Sequence, residues 1–220
     1  MNRSYIWSLP TRVFHWSFVL LIVVCYLTED DDLIIYHAIA GYALLLPLTF
    51  RLGWGLFGPK YSLFKDFPLN LKKTKEFAIN IFDKEQKYIG HNPIASFIMI
   101  AILIVVPIII LTGGITLGAE ESKGLFSSLN KNGLYEDLHE FFANFLYVLI
   151  FAHLAGIAID KLLHNEHGTL NSIFNGYKNS QKEESIKLNI FQKIFALIFF
   201  ILSIFFTIYL IFESTNPFIN

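Results

Sequence analysis

Five long apolar segments constrain the fold of this 220-residue chain more than any other feature. A helix needs about 20 mostly apolar residues to cross the hydrocarbon core of a bilayer, which is about 30 Å thick. Only 16% of the residues are charged, which is too few for the surface of a soluble domain of this length. The sequence therefore predicts an all-α integral membrane protein with spans at residues 10–27, 33–57, 92–117, 135–163 and 191–212.

The first segment lies where a secretory signal would lie, but we expect it to be retained as a helix. His15 and Trp16 interrupt its apolar run, and no small-residue cleavage site follows before the acidic stretch that begins at Glu29. The single cysteine of the chain, Cys25, lies inside this segment. One cysteine excludes an internal disulfide, a cysteine-ligated iron–sulfur cluster and the covalent attachment of c-type haem.

The distribution of lysine and arginine predicts the orientation, because these residues concentrate in cytoplasmic loops. Of the 17 in the chain, two, Lys123 and Lys131, lie on one side of the membrane, which leaves 15 on the other. Five spans then place the N-terminus in the cytoplasm and the tail from Glu213 onward in the periplasm, across a bacterial inner membrane. The loop of residues 58–90 is too short for a folded domain, and we expect part of it to lie as an interfacial helix. Seven of the lysines lie in this loop: Lys60, Lys65, Lys72, Lys73, Lys75, Lys84 and Lys87.

Four of the seven histidines lie inside the apolar segments, where an ionisable side chain is costly and therefore a candidate for function. His139 and His153 are 14 residues apart on the fourth segment. That spacing is about 21 Å along a helix and within roughly 40° of one face. The predicted topology places His37 at the depth of His139, near the outer surface, and His15 at the depth of His153, near the inner surface. The sequence therefore predicts an outer pair and an inner pair of histidines.

Each predicted pair brings one histidine from each of two helices, which suits haem iron with two imidazole ligands. Zinc suits it poorly, since a zinc site needs three or four ligands around one ion. Two stacked b-type haems with two histidines each have no open position on iron, so they transfer electrons rather than activate a substrate. Any one of these histidines, taken alone, could instead serve only to hydrogen-bond a neighbouring helix.

Small residues follow three of the histidines at spacings that share a helix face. They leave room for a flat macrocycle beside its ligand, although they also permit close packing of helices. These residues are Gly41, Ala143 and Gly156, which lie three or four positions after His37, His139 and His153 respectively.

Two arginines and a loop histidine are further candidates on the predicted inner side. Arg12 precedes His15 by three residues, and Arg51 lies near the cytoplasmic end of the second segment. A guanidinium can pair a haem propionate at the membrane interface, while both positions also fit the general excess of positive charge in the cytoplasm. His91 begins the third segment on this side, where a quinone could dock or exchange a proton.

Five short motifs surround these residues. Their sequences are WSLPTRVFHW at residues 7–16, YHAIAGY at 36–42, FRLGWGLFGP at 50–59, GHNP at 90–93, and HEFFAN at 139–144 followed by His153. Together they resemble the bacterial di-haem cytochrome b family that includes the cytochrome b subunit of nickel–iron hydrogenases. The resemblance covers about residues 5–178, and the haem-ligand positions of the family fall on His15, His37, His139 and His153.

The resemblance implies a four-helix transmembrane bundle that binds haem b in residues 1–178. Residues 179–220 then form a linker and an additional C-terminal transmembrane helix. It also implies an electron-transfer subunit rather than a stand-alone catalyst. Its electrons would pass between the quinone pool and a periplasmic redox partner, which could be a hydrogenase, another oxidoreductase or a soluble cytochrome. Lipid, quinone and a redox protein are the expected partners, a homodimer is one possible assembly, and nucleic acid is not expected.

Two other functions use membrane histidines. A divalent-metal transporter would need carboxylates near the midplane and broken helices. Pro47 and Pro107 are possible kinks, but the spans are nearly free of Asp and Glu. A membrane hydrolase or desaturase would need clustered histidine motifs, and the closest pair here is His164 and His167.

Overall fold

The structure is a computed structural model that describes residues 2–82, 88–129, 133–180, 184–212 and 216–219. Four of the lysines used above to predict orientation, Lys84, Lys87, Lys131 and Lys182, lie outside these ranges. Glu213, where the predicted periplasmic tail begins, lies outside them as well.

Eight α-helices and two short strands form within the described ranges. In chain order they are β1 (Asn2–Tyr5), α1 (Leu9–Leu27), α2 (Ile34–Ala43), α3 (Leu45–Phe57), α4 (Leu71–Ile79), α5 (Pro93–Glu121), α6 (Leu134–Leu163), α7 (Thr169–Asn175), β2 (Tyr177–Ser180) and α8 (Ile190–Phe212). Five segments are long and apolar enough to span a membrane: α1, residues 31–57 with α2 and α3, α5, α6 and α8. The prediction of an all-α membrane protein with five spans is therefore confirmed.

The second span, predicted as one helix, is divided in two. α2 ends at Ala43 and α3 begins at Leu45. Proline has no backbone N–H, so Pro47 cannot donate the helical hydrogen bond that would reach the carbonyl of Ala43. In α5, by contrast, Pro107 lies inside a continuous helix of 29 residues. The sequence marks both prolines as possible kinks, and the helix is interrupted only next to Pro47.

The chain divides into two compact units, and each contains one end of most long helices. Unit 1 comprises residues 1–13, 52–102 and 148–193. In it, β1 and β2 pair antiparallel, with Tyr5 opposite Tyr177. The buried hydroxyls of Ser4 and Ser180 hydrogen-bond at 3.1 Å on one face of this ribbon. The ribbon was not predicted, because two four-residue strands far apart in sequence carry no periodic signal of their own.

Trp7 lies at the centre of a buried cluster in unit 1, which we call the Trp7 cluster (Ile6, Trp7, Tyr61, His91, Ser172, Lys178 and Ile186). Its indole N–H donates to Ser172 Oγ at 3.0 Å, and its ring centre lies 4.8 Å from that of His91. Lys178 is also buried, and its ammonium donates to the carbonyl of Gly90 at 3.3 Å. Burial lowers the pKa of Lys178 to about 8, although the nearby carboxylate of Asp160 opposes that shift.

The loop that follows α3 in unit 1 contains a helix, α4, within residues 58–90, where the sequence predicts an interfacial helix. Asn70 caps α4 by accepting a hydrogen bond from the backbone N–H of Lys73 at 3.0 Å. On its inner face, the ring of Phe77 packs against Tyr88 with the ring centres 5.8 Å apart. The cap and this aromatic contact hold α4 to the rest of the loop.

Unit 2 comprises residues 14–51, 103–147 and 194–220. In it, α8 packs on α3 through Phe50, which is 1% exposed and whose ring centre lies 5.1 Å from that of Phe200. Asn216 and Ile219, which follow α8, are buried in the same unit. There, Phe218 contacts the ring of Tyr42 with centres 5.2 Å apart, and Asn216 donates to the carbonyl of Leu210.

Candidate functional site

The structure places the predicted outer pair, His37 on α2 and His139 on α6, side by side in unit 2. Their ring centres are 6.0 Å apart and their planes are inclined by 77°. An imidazole nitrogen bonds a metal at about 2 Å, so two imidazoles on opposite sides of one iron have ring centres roughly 6 Å apart. The observed separation therefore matches that of two axial ligands of one haem.

Both rings of the outer pair are held by the same kind of hydrogen bond. His37 Nδ1 lies 2.9 Å from the carbonyl oxygen of Cys25, and His139 Nδ1 lies 3.0 Å from that of Ile109. A carbonyl oxygen only accepts, so each Nδ1 carries the proton and donates it. Each Nε2 then keeps its lone pair, which is the protonation state that a metal ligand needs.

The positions of the two accepting carbonyls in their helices explain why each can accept a hydrogen bond from a histidine. Cys25 lies in the last turn of α1, and its carbonyl accepts from the backbone N–H of Thr28, just after the helix, as well as from His37. Ile109 lies inside α5, and its carbonyl oxygen uses its second lone pair for the histidine. Thr112 Oγ1 is a second polar neighbour of this ring, 3.4 Å from His139 Nδ1.

Gly113 on α5 makes room for the ring of His139. A Cβ at this position would lie 2.6 Å from His139 Cε1 and 2.9 Å from Nδ1, closer than real Cβ contacts allow. Sequence analysis missed this residue. The adjacent Gly113 and Gly114 within an apolar helix were the available signal, because helix interiors disfavour glycine unless packing requires it.

Two of the small residues predicted from their spacing have open space beside them. A Cβ at Gly41 or Gly156 would meet no atom of the described residues within 4 Å. Gly41 is half-buried and lies one turn after His37, so the chain leaves space on the ligand's side of α2. Ala143 is half-buried on α6, one turn after His139.

The two inner candidates belong to different units. His15 is half-buried on α1 in unit 2, and its ring meets Trp16 edge-on at 5.1 Å. His153 is half-buried on α6 in unit 1. The pairing of these two histidines stays a prediction from their positions along the helices.

The two arginines have different surroundings. In unit 1, the guanidinium of Arg12 donates from one terminal nitrogen to the carbonyl of Phe174, which is the penultimate residue of α7. The buried Nε of Arg12 has no hydrogen-bond partner among the residues that the structure describes. In unit 2, Arg51 is 4% exposed near the end of its span.

His91 lies on the wall of a cleft of about 340 Å³ in unit 1. Its ring is held between Trp7 and Phe67, with ring centres 4.8 Å and 4.6 Å away. On the same cleft, Tyr61 donates its hydroxyl to the carboxylate of Glu184, which also pairs with Lys60. Burial and the Glu184 carboxylate raise the pKa of Tyr61, and the hydrogen bond to Glu184 raises that of Lys60.

Apolar spanning helices with histidines paired inside them define a class of membrane electron-transfer proteins that hold b-type haem. A family model described as prokaryotic cytochrome b561 matches residues 6–176, and the chain belongs to this family. This confirms the resemblance stated from the motifs, since the family includes hydrogenase cytochrome b. No curated protein and no solved structure matches the chain. β2, the linker and α8 lie beyond the matched residues.

Proposed function

We propose that this chain is a di-haem cytochrome b of the bacterial inner membrane, with its N-terminus in the cytoplasm. It passes electrons between a periplasmic redox partner and the quinone pool. His37 and His139 are the axial ligands of an outer haem, and His15 and His153 those of an inner haem. The partner is a hydrogenase, another oxidoreductase or a soluble cytochrome.

The observation that carries this proposal is the paired geometry of His37 and His139. Both rings donate through Nδ1 to backbone carbonyls, and their centres are 6.0 Å apart. A histidine that only joins two helices has no need of a second ring opposite it in the same tautomer. Two rings in this arrangement support ligation of one iron from both sides.

Haem iron held by two imidazoles carries one electron and offers no open position to a substrate. The residues of the chain determine its placement. The carbonyls of Cys25 and Ile109 fix the tautomer and orientation of each ligand, and Gly113 leaves the space that the His139 ring needs. The surrounding apolar side chains of the spans exclude water.

The proposal of an inner haem is based on helix geometry. His153 follows His139 by 14 residues on one continuous helix, which places them about 21 Å apart on similar faces. Arg12 supports this proposal because its buried Nε has no partner among the described residues, and a haem propionate is a suitable acceptor. Arg51 is the second candidate for a propionate, and Gly41 leaves room for the outer macrocycle.

Quinone exchange belongs at the predicted cytoplasmic end, beside His91. An exchange of electrons with quinone also moves protons, which requires groups that can take up or release them. The cleft beside His91 offers the hydrogen-bonded pair of Tyr61 and Glu184. These residues support the choice of this end, and the same groups would serve either direction of electron flow.

The test is a count of haems. The full chain, purified in mild detergent, should show a b-type reduced-minus-oxidised spectrum and two haems by pyridine haemochrome. The variants His37→Ala and His139→Ala should each retain one haem or none. His167→Ala is the matched control, since its half-buried ring lies outside the spans, and it should retain two.

Each other result has a definite meaning. One haem in the wild type, lost in His139→Ala, would reject the inner pair but keep electron transfer. A folded protein that holds no haem, although haem was supplied during its expression, would reject the cytochrome proposal for this chain.

A further inference from the structure

Three large apolar side chains outside the spanning segments are mostly exposed. Leu71 is 77% exposed, Ile79 69% and Phe82 78%, and they lie on α4 and in the turn that follows it. The apolar surface of a spanning helix faces lipid, but a loop in water gains nothing from such exposure. Clustered exposed apolar side chains instead mark an interaction surface.

Leu71 and Ile79 share one face of α4, and Phe82 follows in the turn. Leu71, Lys75 and Ile79 follow each other at intervals of four, which places them in a row along the helix. Phe77 lies on the other side, where its ring packs against Tyr88. The row of exposed side chains therefore points away from the contact that holds α4 to the loop.

The helix is also positively charged, with Lys75 in this row, Lys72 beside it and Lys73 on the opposite side. Lys72, Lys73 and Lys75 are all exposed on α4, and Lys65 is exposed a short distance before it. Two exposed carboxylates, Asp66 and Glu76, leave this stretch of four lysines with a net charge of +2. Apolar side chains flanked by lysines are typical of helices that lie in the interface of an anionic membrane.

The position of α4 along the chain brings it to the bilayer. It begins 14 residues after α3 ends at Phe57 and ends 14 residues before α5 begins at Pro93. Two consecutive spans joined by a loop leave and re-enter the membrane at the same surface. A helix midway along that loop has a lipid surface within reach at both ends of the loop.

We propose that α4 lies on the membrane surface with Leu71, Ile79 and Phe82 inserted between lipid head groups. Lys72 and Lys75 bind the phosphates of anionic phospholipids in the leaflet that the loop faces, and Lys73, on the other side of α4, adds positive charge near that surface. The contact requires no redox chemistry, so it holds or fails independently of the proposed electron transfer. As a consequence, the loop is anchored to the bilayer near the cleft that His91 lines.

A polarity-sensitive fluorophore at position 79 tests this proposal in the full chain. The label is attached to Ile79→Cys in a Cys25→Ala background, and the protein is reconstituted in nanodiscs of phosphatidylcholine, with or without phosphatidylglycerol. Emission should shift to the blue with phosphatidylglycerol, and high salt should reduce the shift. Each lysine near an anionic surface favours the bound state by roughly fivefold, so replacing Lys72, Lys73 and Lys75 together by Gln should lower the ratio of inserted to released label about a hundredfold.

The matched control replaces three exposed lysines elsewhere in unit 1, Lys161, Lys187 and Lys193, by Gln and should keep the shift. Emission typical of water in both lipids would overturn the proposal and leave this face for a protein partner. An equal shift in both lipids would overturn the recognition of anionic lipid, as would an equal loss in both triple variants. Haem content, measured in every sample, reports separately on the proposed function.

Discussion

The outer histidine pair, which is half-buried, and the Trp7 cluster, which is mostly buried, are both polar arrangements, but they are built differently. The histidine pair lies on long helices and is held by carbonyls of α1 and α5. The Trp7 cluster joins the start of the chain to the loop before α5 and to α7, more than 160 residues away along the chain. The first is the proposed ligand site, on a regular scaffold, and the second is a network of side chains from distant segments.

Each region is therefore sensitive to a different kind of change. In the outer pair the ring positions matter most, because the proposed haem requires two nitrogens to meet one iron. In the Trp7 cluster the buried groups only have to satisfy one another, so changes there should alter stability and leave the outer haem in place. Three substitutions, in order of decreasing effect, test this distinction.

Gly113→Ala should have the largest effect, with the loss or partial loss of the outer haem. The new Cβ would lie 2.6 Å from His139 Cε1, and moving the ring away breaks its hydrogen bond to Ile109. Haem per chain by pyridine haemochrome should fall from two toward one. Gly133→Ala is the control, since its Cβ would meet no described atom within 4 Å. Full haem content in Gly113→Ala would show that the ring is not held as tightly as this comparison requires.

Lys178→Met should change how stability depends on pH. The pKa of Lys178 is lowered from 10.5 to about 8 in the folded chain, so between these values the unfolded chain binds a proton that the folded chain does not. Stability of the wild type relative to Lys178→Met should therefore be constant below about pH 8. It should rise toward pH 10.5, by at most about 3 kcal/mol.

Thermal unfolding in detergent across that pH range measures this difference. The exposed Lys187→Met is the control and should show no such rise. A flat difference between wild type and Lys178→Met would mean that Lys178 titrates as it does in water. A change in haem content in Lys178→Met would contradict the separation of the two regions.

Ser172→Ala should have the smallest effect. It removes the acceptor of the buried Trp7 N–H, at a cost of about 2 kcal/mol for an unsatisfied donor. The melting temperature should fall by a few degrees while haem content stays unchanged. Ser128→Ala, on an exposed turn, should melt as the wild type does. An unchanged melting temperature in Ser172→Ala would show that this hydrogen bond does not contribute to the stability of unit 1.

The sequence alone determined the membrane class and predicted the four candidate histidines. Long apolar segments and the spacing of His139 and His153 are local properties, so the period of a helix is enough to interpret them. The motifs then indicated the family, which the match over residues 6–176 confirmed. The division of the second span next to Pro47 was only partly predictable, because a proline inside a helix breaks it in some settings and not in others.

The groups that surround His37 and His139 follow from the packing of the helices. The carbonyl of Cys25, the carbonyl of Ile109 and the bare backbone of Gly113 meet their rings from other helices, and no sequence pattern specifies a contact between distant backbone atoms. The same holds for the Trp7 cluster and for Glu184, which joins Tyr61 from beyond the family match. Helix period and hydropathy follow from neighbouring residues, whereas these contacts depend on how separate segments pack.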